Sequence, residues 1–277
     1  MVRLISFFSL LFCFQCVYSQ TAKGIVKNIK GELLQYAHII GNKGKEITIT
    51  NEIGEFQFIN CNSDTLFVSM VGYADTFIVI NVKNIASLKI VMLEKKYILD
   101  GLIISPDNTK YKKQGKTLSS QKGKVHYTRY LNISSRIVQK FVNPYGHDGK
   151  IEQVKFNIRN AESDVVIRVM AYSIDQGLPG DNLLSENILL LVKKGSNKLV
   201  FDLSKKVILF PKQGCYIGID VLKSDNKRVK IGFQGYRVEQ PDLSLVSHGR
   251  DWFTDYIRNT YASFDVEVKV SFYLPKN

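Results

Sequence analysis

The chain has 277 residues, 38 basic against 25 acidic side chains, a formal charge of +13, 45% hydrophobic residues and 23% charged residues. That balance belongs to folded globular proteins and excludes disordered, collagen-like and disulfide-framework classes. The length suits one large domain or two of moderate size, each able to bury a core.

Residues 1–19 read as an export signal: Arg3 supplies the positive start, Leu4 to Val17 is apolar, and Val17 and Ser19 are small enough for a cleavage site after Ser19. The apolar run, at roughly fourteen residues, is shorter than the about twenty a membrane-spanning helix needs. A lipid anchor on Cys13 or Cys16 lacks the small residue it requires, since Phe12 and Gln15 precede them. The mature chain then carries 37 basic and 25 acidic residues, a net of +12, and keeps two cysteines, Cys61 and Cys215. These lie in different halves of the chain and are expected unpaired as small buried hydrophobes. Export predicts a periplasmic, outer-membrane-associated or cell-surface location.

From residue 23, short runs rich in Val, Ile, Phe, Tyr and Thr recur at 23–29, 36–41, 45–50, 55–59, 64–70, 76–82, 87–93 and 97–104. A spacing of about ten residues is that of a β-sandwich, not of a parallel sheet with crossover helices. Ile47-Thr48-Ile49-Thr50 and Phe56-Gln57-Phe58 alternate apolar and polar, so one face of each sheet is expected to be wet. Lys30-Gly31 and Asn51-Glu52-Ile53-Gly54 supply turns in which glycine accepts a positive φ, and Gly72 marks a strand end or bulge. No stretch keeps helical spacing for three turns, so an all-β, all-antiparallel chain is predicted.

The same residues carry a resemblance. Gly24-Ile25-Val26, Gly31, Leu34, Ala37-His38-Ile39, Thr50-Asn51 with Gly54-Glu55-Phe56, Asp64-Thr65-Leu66, Ser69 with Val71-Gly72-Tyr73, Leu93 and Leu99-Asp100-Gly101-Leu102-Ile103-Ile104 follow a known pattern. Residues 23–104 resemble the carboxypeptidase-regulatory-like domain, common in exported proteins of Bacteroidetes and in the N-terminal extension of many TonB-dependent receptors. Two positions depart from it: Gln35-Tyr36 stands where a proline is frequent, and Glu46-Ile47 replaces a Gly-Thr pair. The resemblance implies a seven-stranded immunoglobulin- or transthyretin-like sandwich without catalytic residues, used as an accessory, spacer or docking module. The chain is too short to include a receptor barrel.

Residues 105–124 read as a basic linker. From 105 to 130 the chain holds Lys110, Lys112, Lys113, Lys116, Lys122, Lys124 and Arg129 against Asp107 alone, half the mature charge. Two roles fit it, a solvated spacer or an arm for an anionic membrane surface; export and the lack of a reading motif argue against nucleic acid.

Strands are expected again at 125–133, 136–143, 150–159, 164–174, 186–193, 197–203, 206–210, 214–222, 228–235 and 264–274. Val165, Ile167, Val169 and Ala171 face one side with Arg168 opposite, and Phe264, Val266, Val268, Val270 and Phe272 do the same. Gln176 to Asp181 reads as a turn. So many strands in residues 125–277 predict a second, larger, jelly-roll-like sandwich.

Reaction chemistry has little footing. No Cys-x-x-Cys, His-Glu-x-x-His, Gly-x-Ser-x-Gly or phosphate-cradling glycine loop occurs, so no cofactor is expected and none of His38, His126, His147 and His248 is prearranged for a metal. Asp148, Glu152, Asp251 and Asp255 are acids near turns whose spacing does not mark a carboxylate pair. The segment His248 to Tyr256 holds the only tryptophan, with Trp252 beside Arg250 and near Tyr256. Two roles fit Trp252: a ring stacked on a sugar with charged neighbours bonding hydroxyls, or a plug in the end of the sandwich. The expected function is a non-catalytic envelope protein for docking, adhesion or assembly, with an envelope protein as partner; the alternatives are a glycan-binding protein and an enzyme of unrecognised type.

Overall fold

The computed structural model describes residues 21–41, 46–59, 61, 63–81, 83–95, 111–120, 122–123, 126–224, 231–239, 244–247, 249–254, 256–257 and 260–276, with backbone alone at 46, 160, 224, 256, 257 and 260. The leader, the strand expected at 97–104, Lys110, Lys124, His248 and Asp255 lie outside these residues. Among the described residues there is no helix, and the strands gather into four sheets, an all-β, sandwich-like fold.

The N-terminal strands are β1 (Ala22–Asn28), β2 (His38–Gly41), β3 (Glu46–Ile49), β4 (Glu55–Phe58), β5 (Thr65–Ser69), β6 (Thr76–Val79) and β7 (Leu88–Met92). They form a three-stranded sheet in the order β4-β1-β7 and a four-stranded sheet in the order β3-β2-β5-β6. Val26, Phe56, Phe58, Leu66, Val68, Ile90 and Met92 fill the space between them. The period-two pattern drives this: in β5, Leu66 and Val68 turn inward and Thr65, Phe67 and Ser69 outward. One pairing departs from the antiparallel expectation. β1 and β7 run parallel, Val26 opposite Ile90, because a strand that opens a sandwich and a strand that closes it can meet side by side once the chain between has crossed to the other sheet.

The remaining strands are β8 (Tyr111–Ser119), β9 (His126–Leu131), β10 (Arg136–Phe141), β11 (Gly149–Ala161), β12 (Val165–Asp175), β13 (Leu178–Asn182), β14 (Leu189–Val192), β15 (Lys198–Asp202), β16 (Leu209–Phe210), β17 (Cys215–Ser224), β18 (Ile231–Val238), β19 (Ser244–Ser247), β20 (Phe253–Thr254), β21 (Tyr256–Ile257), β22 (Thr260–Phe264) and β23 (Val266–Pro275). One sheet runs β13-β12-β17-β10-β19-β20 with β14 on β12. The other runs β21-β22-β18-β11-β23-β8, with β15 and β16 on β11 and β9 on β18. Val154, Phe156, Ile167, Val169, Phe210, Ile219, Val268 and Phe272 form the core between them. Cys61 sits in the first core and Cys215 in the second, both buried and free.

Three sequence expectations change here. Tyr111–Ser119, expected within a linker, is β8, an edge strand hydrogen-bonded along β23 with Leu118 opposite Val268. Lysine-rich text fits both, since charges on an edge strand prevent another chain from adding to the sheet; Lys112, Lys113 and Lys116 are exposed there, and Lys122 is exposed just beyond. Leu178–Asn182, expected as part of a turn, is β13, and the turn shrinks to Gln176-Gly177, both with positive φ. Finally, β12 has no wet face: Arg168 is 1% exposed and Met170 and Tyr172 are buried on the side opposite Val169. The cover on that side is the first sandwich.

Candidate functional site

The row that meets the first sandwich is set by strand register. Arg168 of β12 lies opposite Asp220 of β17, Asp220 opposite Arg136 of β10, and Arg136 opposite Ser247 of β19. All four therefore project from one face of the sheet. Across the junction stands β2 of the four-stranded sheet, whose His38 faces away from the first core while its neighbour Ile39 faces in.

The contact is made by a buried ionic triad. Arg168 Nη2 donates to Asp220 Oδ2 at 2.5 Å, and His38 Nε2 meets the same oxygen at 2.6 Å. Arg168 Nη1 donates to the Tyr36 carbonyl at 3.0 Å and to Asn187 Oδ1 at 2.9 Å, so one guanidinium ties both sandwiches together. Asp220 is 0% and His38 3% exposed. Burial works to raise the Asp220 carboxyl, yet the Arg168 charge and the hydrogen bond from His38 hold it well below the carboxylate range. It is therefore ionised and can only accept. His38 carries its proton on Nε2, burial pushes the imidazole below its ordinary value against the pull of Asp220, and the neutral ring leaves Nδ1 with no hydrogen-bond partner. Among the described residues no group bonds to that nitrogen, Ser69, the cross-strand neighbour of His38, included.

The sign of its pH dependence follows. A histidine with a folded value below its unfolded value of about 6.5 contributes stability that is complete above that pH and lost as pH falls through it. Asp220, also depressed, loses its contribution only below about pH 4. Thermal melts are thus expected to fall between pH 7.5 and pH 5.5, as rough bounds on the histidine range. His38→Gln, which keeps an N–H donor and cannot titrate there, should flatten that dependence; an equal slope in both proteins would contradict the assignment.

Beside the triad a cavity of about 530 Å3 opens between the outer faces of the two sandwiches. The first sandwich contributes His38, Phe67 and Lys95; the second contributes Tyr172, Arg250 and Trp252, among others. Lys95 and Asp181 form an ion pair across it. Trp252 is half-buried and packs against the second core on one side while lining the cavity on the other, so it is part plug and part wall. Its ring meets Tyr172 edge-on at 5.5 Å and the Arg136 guanidinium at 5.3 Å. Arg136 in turn donates to Ser247 Oγ at 3.1 Å and to the Gly249 carbonyl, which fixes the loop that carries Arg250 and Trp252. Arg250 is exposed and lies over Phe67 at 4.4 Å and Phe77 at 5.4 Å.

Of the three expected ligand contacts, Arg250 and Trp252 share this cavity. Tyr256 belongs to β21 by its backbone, and its side chain lies outside the described residues. The acids near turns do not converge: Asp148 accepts from the Lys212 amide, Glu152 is held by Lys150, Lys113 and Ser271, and Asp251 is exposed. Among the described residues no three metal-ligating side chains cluster. His126 packs on Tyr236, 4.7 Å away. His38, Arg136, Arg168 and Asp220 were not singled out by sequence reasoning. One signal was available: Met170 and Tyr172, apolar residues in register with Arg168 on the face expected to be wet.

No family model matches this chain. No curated protein matches it either. Among solved structures, the cysteine protease and lectin-like domains of Cwp84, a surface-layer-associated protein of Clostridium difficile, align with 56% of this chain and 35% of their own at 10% identity and a TM-score of 0.39. A Streptococcal ancillary pilin aligns with 95% of this chain and 60% of its own at 9% identity and a TM-score of 0.25. The structure of infectious bursal disease virus, Gx strain, aligns with 92% and 64% at 10% identity and a TM-score of 0.24. The chain thus spans about a third of the length of the clostridial protein. At these scores none carries a functional argument.

Proposed function

We propose that this chain is an exported, non-catalytic module of the cell envelope that binds its partner in the cleft between its two sandwiches. The observation that carries this is the cleft itself, a cavity of about 530 Å3 walled by both sandwiches and set beside an ionic triad whose imidazole has no nucleophile bonded to it among the described residues. Small-molecule and group-binding sites occur at such junctions, within about 300–1,000 Å3, with apolar walls and a few placed polar groups. The resemblance of residues 23–104 to carboxypeptidase-regulatory-like domains, and the leader-like residues 1–19, support an accessory role outside the cytoplasm. In the leading form of the proposal the occupant is a segment of another envelope component. Purified mature chain is then expected to bind envelope preparations saturably, with Arg250→Ala weakening the binding; undiminished binding by that variant would remove the cleft from the account.

A second reading is favoured by Trp252. An aromatic ring in a cleft wall, flanked by arginine and by acceptors such as Asp181 and Asn182, is what carbohydrate recognition uses: the ring covers C–H groups and the polar neighbours take the hydroxyls. On a glycan array, the intact protein is expected to give signals that Trp252→Ala reduces by about tenfold or more, the loss of one stacked ring. Equal signals from the two proteins would end the glycan reading.

A further inference from the structure

We infer that the cleft selects saccharides that carry an acidic group, a uronic carboxylate or a sulfate, over neutral ones. This rests on the reading of the cleft as a sugar site and adds the charge of the sugar to it.

The first support is the count of charges on the register row. Arg168, Asp220 and Arg136 are neighbours on one face, two guanidiniums to one carboxylate, and His38 is neutral. Arg168 spends its charge on Asp220. Arg136 hydrogen-bonds to uncharged groups, among them Ser247 Oγ and the Gly249 carbonyl, lies against Trp252 and shares Asp220 with Arg168, so the row carries one positive charge in excess behind the ring.

The second is Arg250. Its guanidinium rests on the rings of Phe67 and Phe77, and among the described residues it forms no ion pair or hydrogen bond. With no hydrogen bond of its own, the guanidinium has N–H groups to offer a carboxylate or sulfate, which it can bind with two parallel hydrogen bonds. Contact with two rings inclined at 53° also removes part of the side-chain entropy that an exposed arginine loses on binding.

The third is the rest of the cleft, which fits a sugar better than a bare ion. Trp252, Met70 and Met170 offer an apolar wall that an inorganic anion does not need, while Asp75, Asn182 and the Lys95-paired Asp181 have oxygen lone pairs for hydroxyls that an ion does not have.

The test is calorimetric titration of the full mature protein with four probes: a glucuronate-containing disaccharide, its neutral glucose counterpart, a sulfated disaccharide and inorganic sulfate. Wild type, Arg250→Ala and Arg250→Lys are compared at low and physiological salt, with melts confirming that each is folded. A charged, bidentate hydrogen bond predicts that at least one acidic disaccharide binds about tenfold or more tightly than the neutral one. The same preference should shrink with salt, vanish in Arg250→Ala and be only partly kept in Arg250→Lys, which lacks the planar fork. Which of the two acidic probes wins identifies the group. Equal binding of neutral and acidic sugars, unmoved by Arg250→Ala, would overturn the acid preference and leave the sugar site standing. Inorganic sulfate binding as tightly as the sulfated disaccharide would overturn it in favour of an anion site. Failure of every sugar to bind would remove the glycan reading and this inference with it.

Discussion

Asp220→Ala is expected to destabilise the protein by about 3–5 kcal/mol, because it leaves the Arg168 guanidinium buried without a countercharge. The residue is 0% exposed, and Arg168 beside it is 1% exposed. At the same time it removes the acceptor of His38 Nε2, so two polar groups of the junction lose their partner in one step. The effect is expected in the urea midpoint of the whole chain. Removing the charges together is a different case. A triple replacement of His38, Asp220 and Arg168 by apolar residues of similar size restores most of the loss if the junction can pack, since a buried ion pair stabilises little over a well-packed apolar contact. A single Asp220→Ala protein that unfolds with wild type would mean that the triad is solvated and the two sandwiches are not joined there.

Gly72→Ala is the second substitution with a large expected effect, and it acts on the backbone at the same junction. Gly72 has a φ of 83°, and a methyl group built on it falls 2.2 Å from the carbonyl oxygen of Ser185, in the loop after β13. Its neighbour Val71 is 3% exposed and belongs to the core of the second sandwich although it comes from the first. The left-handed backbone alone costs a non-glycine residue about 1–3 kcal/mol. The overlap with Ser185 adds to that or forces the sandwiches apart. Gly31 supplies the control, with a φ of 88° and nothing within 4 Å of an added methyl group. Gly31→Ala is therefore expected to show the strain without the clash, and melts of the two variants separate them. Equal destabilisation by both would show that Gly72 does not need its close approach to Ser185.

Most of the fold could be read from periodicity where a strand has one core face and one solvent face. In β23, Val266, Val268, Val270 and Phe272 alternate with polar residues in the sequence and are all buried in the structure. In β12 the same rule placed Val165, Ile167, Val169 and Ala171 correctly and failed for Arg168, because a second sandwich covers the face that a lone sandwich would leave wet. β8 was hidden by its lysines, which mark an edge strand and a linker alike. The parallel pairing of β1 with β7 depends on sheet crossing and leaves no trace in either strand.

The site divides in the same way. Trp252 and Arg250 could be found because an aromatic and a cation adjoin within one short loop. The triad could not, since Arg168 and Asp220 are 52 residues apart, and His38 and Asp220 182. Their meeting depends on the register of β12 with β17 and on the docking of one sandwich against the other, neither of which is a local property of the chain.

The central claim, that the cleft between the sandwiches is where this protein binds, can be measured most directly through Trp252, the only tryptophan in the chain. Its emission reports from the cavity wall without any label. Titration with a saccharide that calorimetry shows to bind should change that emission saturably, with the same midpoint. Binding that leaves Trp252 emission and its quenching by acrylamide unchanged would place the ligand elsewhere and contradict the account.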